Sequence, residues 1–183
     1  LLALTYGYFY QGSDPNQSTR VFLTRAIVER HALDITPDKQ ATIDKGEYRG
    51  KYYSDKAPGL SFAAVPEYAF LDRANRAFHI DPSTRAAQLA RHHVLTFALA
   101  GVPSVVLAYF LLETLIHFGI SSAIAEFLAV AHGLGTIAFP FSAVLFGHMA
   151  ASALFFVSFA LVLRWRAADE MIHPYRWGLL GFL

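Results

Sequence analysis

Hydrophobic positions are unevenly spread along this chain. From Phe127 to Leu163 run 37 residues with no Asp, Glu, Lys or Arg, and from Val94 to Leu112 another 19. A helix rises about 1.5 Å per residue and the hydrocarbon core of a bilayer is about 30 Å thick, so the longer run, at about 55 Å, is expected to fold back as two spans with a turn between them. Val94 to about Ile116 is expected to cross despite Pro103, which neighbouring helices accommodate. Ile120 to about Phe139 then returns, Gly133, Gly135 and Pro140 supply the break, and Phe141 to Leu163 crosses again. A further span is expected to start near Trp177.

The first half is more polar. Leu1 to about Tyr10 reads as the outer end of a first span, with Tyr6, Tyr8, Phe9 and Tyr10 as an aromatic belt where hydrocarbon meets water. Gln11 to Ser18, with Gly12, Asp14, Pro15 and Asn16, is loop by composition. Thr19 is placed to cap a short interfacial helix running through His31. Asp34 to Lys56 is polar and tyrosine-rich, with a small hairpin expected about Gly46 and Gly50. Leu60 to Leu71, at about 18 Å, is too short to cross and is expected to be a partly inserted or surface helix. The pattern predicts an all-α polytopic membrane protein with about four to five transmembrane helices, in three sections: residues 1–10, an outward loop over 11–93 with juxtamembrane helices, and 94–183.

Composition agrees, with 55% hydrophobic residues, 16% charged and a mean hydropathy of +0.36. The net charge of +1 averages a polar half and an apolar half, and nothing in it calls for a nucleic-acid partner. The absence of cysteine excludes disulfides and thiolate metal sites. The chain opens on Leu1 and closes inside an apolar run, Gly178 to Leu183, and reads as a portion of a longer membrane protein. Arg164, Arg166 and Arg176 mark the cytoplasmic side, so counting spans backwards puts Gln11 to His93 outside.

Candidate chemistry concentrates in Tyr52-Tyr53-Ser54-Asp55-Lys56-Ala57-Pro58-Gly59. A carboxylate and an ammonium stand side by side where Pro and Gly fix the start of an apolar helix, and a helix N-terminus attracts anions, so a lipid-borne phosphate suits the spot. Asp14 and Arg20 lie earlier in the same outward section. On residues alone, Asp14 in Gly-Ser-Asp-Pro-Asn equally suits a turn, and Asp55-Lys56 a solvated ion pair.

Asp14 through Arg20, the helix after it, and the Tyr-Tyr-Ser-Asp-Lys-Ala-Pro stretch resemble the first loop of the protein O-mannosyltransferase and lipid A aminoarabinose transferase families, within the GT-C class of glycosyltransferases. The resemblance covers about Leu1 to Leu115. It implies transfer of a sugar from a polyprenyl-phosphate donor to an acceptor at the outer face of a bacterial cytoplasmic membrane. It also implies catalytic roles for Asp14, as general base, and Asp55, a phosphate contact for Lys56, and substrate-binding roles for Arg20 and Tyr53. The match has departures: three residues before Arg20 stands Gln17 where the family has an acid, and Ala57-Pro58-Gly59 replaces Pro-Pro-Leu. The cofactor is unknown at this point, with a divalent metal as the candidate considered.

His132 and His148 lie in apolar runs, where an imidazole can ligate a porphyrin-type metal, hydrogen-bond between helices or line a cavity. His148 is included in the candidate site. Glu113 and Glu126 read as solvated acids near the inner turn, and Gly147, Ala150, Ala151 and Ala153 as helix-packing surface. Besides donor and lipids, the partners considered are other subunits, because the competing reading is a non-catalytic transmembrane subunit of a respiratory or photosynthetic complex.

Overall fold

The computed structural model describes residues 1–12, 14–167, 178 and 181. It is 71% helical. Two helices among the described residues are long and apolar enough to cross a membrane, Arg85–His117 and Gly147–Arg166. The expected four to five spans are not found: Ser122–Gly135 is apolar but, at 14 residues or about 21 Å, stops short of a bilayer's thickness. The expected span near Trp177 lies outside the described residues.

After α1 (Leu2–Tyr8), the chain turns at once into α2 (Pro15–Arg30). The expected loop over Gln11 to Ser18 holds at Gln11, Gly12 and Asp14 but gives way to helix at Pro15, which also corrects the expected cap at Thr19. Asp14 is the N-cap, its side chain accepting the Gln17 N–H at 2.8 Å, and Pro15 occupies a first-turn position where a missing N–H costs nothing. His31 adopts the left-handed conformation (φ 52°), and the Ala32 N–H reaches Ala26 O at 3.1 Å to close the helix. The expected hairpin forms from β1 (Lys45–Tyr48) and β2 (Lys51–Ser54), antiparallel, with Lys45 opposite Ser54 and Tyr48 opposite Lys51. Its two-residue turn has positive φ at both Arg49 (50°) and Gly50 (75°), the backbone that matches strand twist.

The predicted helix over Leu60 to Leu71 is two pieces, α3 (Gly59–Ala63) and α4 (Val65–Ala77). Pro66 has no N–H to give the Phe62 carbonyl, so the helix breaks at Ala64 and restarts. Next come α5 (Arg85–Thr96) and α6 (Val102–His117), which form one continuous helix through a π turn at Phe97–Gly101. There the Val102 N–H reaches back to Phe97 O, and the wider turn lies just before Pro103. The 37-residue apolar run divides into the end of α7 (Ser122–Gly135), α8 (Ala138–Ser142), an elbow, and α9 (Gly147–Ala167).

Two apolar clusters organise the packing. Val21, Ala64, Tyr68, Leu95 and Leu145 join α2, the α3–α4 junction, α5 and the elbow, while Leu107, Ala138, Met149 and Ala153 join α6, α8 and α9. Polar side chains tie the first loop to the elbow. Gln17 accepts the buried Leu145 N–H at 2.9 Å and donates to Gly12 O, and Gln11 donates to Pro140 O. Glu113, expected to be solvated, takes Arg164 at 2.6 Å and couples the far ends of α6 and α9.

Candidate functional site

The motif that the sequence singles out is held by a seam of hydroxyls between α2 and α3. Thr24 Oγ1 shares its proton between Arg20 O and Ser61 O, at 3.0 Å each, and Ser61 Oγ donates to the same Arg20 carbonyl at 3.0 Å. Thr24 and Ser61 are each 1% exposed, so these bonds form away from water, where an unmet partner would be costly. Residues 55–58 are thereby fixed next to Arg20. The guanidinium itself reaches across, Nη1 donating to Ala57 O at 3.2 Å and Nε to Asn16 Oδ1 at 3.2 Å.

The structure brings five charged groups together there. Lys56 Nζ lies 3.2 Å from Asp55 Oδ1 and 3.2 Å from Asp44 Oδ2. Desolvation works to lower the lysine, but hydrogen bonds and charge from Asp55 and Asp44 outweigh it and hold the ammonium above its ordinary value. Arg20 is lowered by burial, while the charges of Asp55, Asp14 and Asp44 act in the opposite direction. Asp14, Arg20, Asp55 and Lys56 therefore share one electrostatic neighbourhood.

Asp44 is the member that sequence reasoning missed. The hairpin carries the signal: with Lys45 opposite Ser54, one further step of the same register sets Asp44 alongside Asp55. Its backbone N–H donates to Thr42 Oγ1 at 3.1 Å, and that hydroxyl donates to Pro15 O at 3.0 Å, which anchors the hairpin base to the start of α2.

From Arg20, Ala57 and Gly59 an apolar cavity of about 730 Å³ extends between the Arg85–His117 helix and α9, ending near Val106 and Val157. Its walls are the π turn and the residues after it, Ala98, Leu99, Val102 and Pro103, facing Gly147, Ala150, Ala151, Ala153 and Leu154. Of the small residues expected to be helix-packing surface, Ala153 packs as expected, while Gly147, Ala150 and Ala151 line this groove, because a side chain of one carbon or none cannot fill the gap between two helices. Ala153 also belongs to the buried cluster against α6.

Tyr53 is half-buried on β2, opposite Gly46. His148 is exposed, with its ring edge-on to Phe141 (5.0 Å) and Phe146 (6.0 Å), while its neighbours Gly147 and Ala150 line the groove. His132 Nε2 is buried. Among the described residues, no group of three or more His, Asp or Glu side chains is arranged to hold a metal ion. No protein-family model matches the chain, and no characterised protein or solved structure is detectably similar to it.

Proposed function

We propose that this chain binds a polyprenyl-phosphate-linked sugar and forms part of a GT-C type glycosyltransferase at the outer face of a bacterial cytoplasmic membrane. One observation carries the reading: a long apolar groove ends on Arg20 and Ala57, the chain neighbour of Lys56, whose partners Asp55 and Asp44 also act on Arg20. A ligand with a hydrocarbon tail has this shape, and an anionic head at its end would find two cations, Arg20 and Lys56, held there among carboxylates. The membrane setting is supported by α9, whose apolar window is only 17% buried, since an apolar surface of that extent suits lipid. The motif resemblance supplies the reaction class.

In this reading Lys56 and Arg20 receive the phosphate, and carboxylates serve the acceptor. Asp14 holds the Gln17 N–H through Oδ1, and Oδ2 takes the proton of an acceptor hydroxyl. The hydroxyl oxygen bonds to the sugar's anomeric carbon as the bond from that carbon to the phosphate oxygen breaks. The electron pair leaves on the phosphate, where the two cations stabilise the growing charge. Asp55 keeps the Lys56 ammonium oriented toward that oxygen.

Transfer of radiolabel from a lipid-linked sugar by the full chain tests the mechanism. Lys56→Ala is expected to lower the rate about 100-fold, as loss of one transition-state donor does; equal rates in the two proteins would remove Lys56 from the reaction. The groove is tested separately. Ala150→Phe fills it, and is expected to weaken binding of a long polyprenyl phosphate at least tenfold while leaving a water-soluble short-chain isoprenyl phosphate unaffected, as measured by equilibrium binding.

A further inference from the structure

A phosphate arriving at Lys56 must compete with the partners the ammonium already has. Both are carboxylates, Asp44 and Asp55, each at 3.2 Å. Facing one another at the open end of the hairpin they would repel, and Lys56 between them removes the conflict. Across the cluster, Asp14, Asp44 and Asp55 outnumber Arg20 and Lys56 by one charge, so an anionic head group meets a net negative mouth. For the phosphate to reach Nζ, one carboxylate has to withdraw.

The two are not equivalent. Asp55 is the chain neighbour of Lys56 and moves with it. Asp44 comes from the opposite side of the hairpin, with its backbone fixed through Thr42 to Pro15, so rotation of its side chain alone clears the ammonium. Resting on the reading that a lipid phosphate binds at Lys56, we propose that Asp44 is a positioning residue. It is an internal counter-ion that holds the ammonium next to Ala57, a residue of the groove lining, in the donor-free protein and yields it to the donor phosphate. Lys56 is then oriented before the donor arrives, which reduces the ordering cost of binding. After transfer, the returning Asp44 carboxylate competes with the product phosphate and speeds its release.

The test is equilibrium binding of a polyprenyl monophosphate to the full chain in phosphatidylcholine nanodiscs. Asp44→Asn keeps the side-chain size and removes the competing charge. It is expected to tighten binding about tenfold, chiefly by slowing dissociation, whereas a role in hairpin structure alone would weaken it. Lys56→Ala is expected to weaken binding at least tenfold. If Lys56→Ala binds as the unaltered protein does, the phosphate site itself is wrong and Asp44 has no such role. If Lys56→Ala weakens binding but Asp44→Asn leaves it unchanged or weaker, the site stands and the counter-ion role falls. A cryo-EM structure of the unaltered protein with the same lipid needs no variant to fold. Separation of Asp44 Oδ2 from Nζ beyond 4 Å supports the exchange, and a retained contact overturns it.

Discussion

Replacing Arg20 with methionine is expected to weaken polyprenyl-phosphate binding by one to two orders of magnitude while leaving helix content unchanged. Methionine keeps an apolar stem of similar length against the groove wall and deletes only the guanidinium. A hydrogen bond to a charged group contributes about 1.5–3 kcal/mol, which corresponds to roughly 10- to 150-fold in affinity. A second effect acts in the same direction. Without Arg20, three carboxylates face a single ammonium, so the mouth of the groove becomes more negative to an anion. Arg20→Lys restores the charge but not the two-pronged reach to Ala57 O and Asn16 Oδ1, and is expected to recover part of the loss. Binding titrations over a range of salt concentrations check both effects. Affinity in Arg20→Met equal to that of the parent at low salt would remove the guanidinium from the head-group site.

The largest effect on stability is expected from Tyr68→Phe. Tyr68 is fully buried at the junction of α2, α4 and α5. Its hydroxyl donates to Glu29 Oε1 at 2.6 Å and accepts from Arg91 Nη1 at 2.7 Å, while the Arg91 guanidinium carbon lies 4.5 Å from the ring centroid. Burial first, and the bond to Glu29 second, raise the hydroxyl above its ordinary value, so it stays a donor throughout the physiological range. Arg91 is 6% exposed, and its Nε and Nη2 are buried without hydrogen-bond partners among the described residues. Phenylalanine removes one oxygen and leaves Nη1 in the same position, which breaks the relay from Arg91 to Glu29. The expected loss is about 2–4 kcal/mol, between the cost of one unsatisfied buried donor and that of a broken buried ion pair. Thermal unfolding of the full chain in detergent measures it. A loss below about 0.5 kcal/mol would mean that Arg91 is satisfied by other means.

How much was legible beforehand depends on the range of each interaction. The two long apolar helices are written in composition, because a charge-free stretch has few other places to go. Their number was over-read because Phe127 to Leu163 is continuous as a hydrophobic run but discontinuous as a backbone. Pro140, with no N–H, and the Gln11 and Gln17 contacts from far upstream decide where it bends. Asp14 was visible as a residue of interest but not as the cap of α2, since turn and cap chemistry use the same side chain. Lys56 and Arg20 stood out as candidates because the motif is local. Asp44 was not, because its place beside Asp55 depends on a strand register, which a single turn of two residues sets.

The π turn at Phe97–Gly101 gives the Arg85–His117 helix a phase offset. The bond from the Val102 N–H to Phe97 O encloses one residue more than an α-helical turn does, so the segment before it is rotated by roughly 100°, one residue's step, relative to an unbroken helix. Arg91 and Leu95 thereby address α2 and α4, while Leu107 addresses α8 and α9. Removing one residue from Phe97–Gly101 would leave composition and hydropathy almost untouched, yet it would swing the charged end of the helix about a quarter turn away from α2 and α4. Loop lengths around this helix can drift; the residue count between Arg91 and Leu107 cannot.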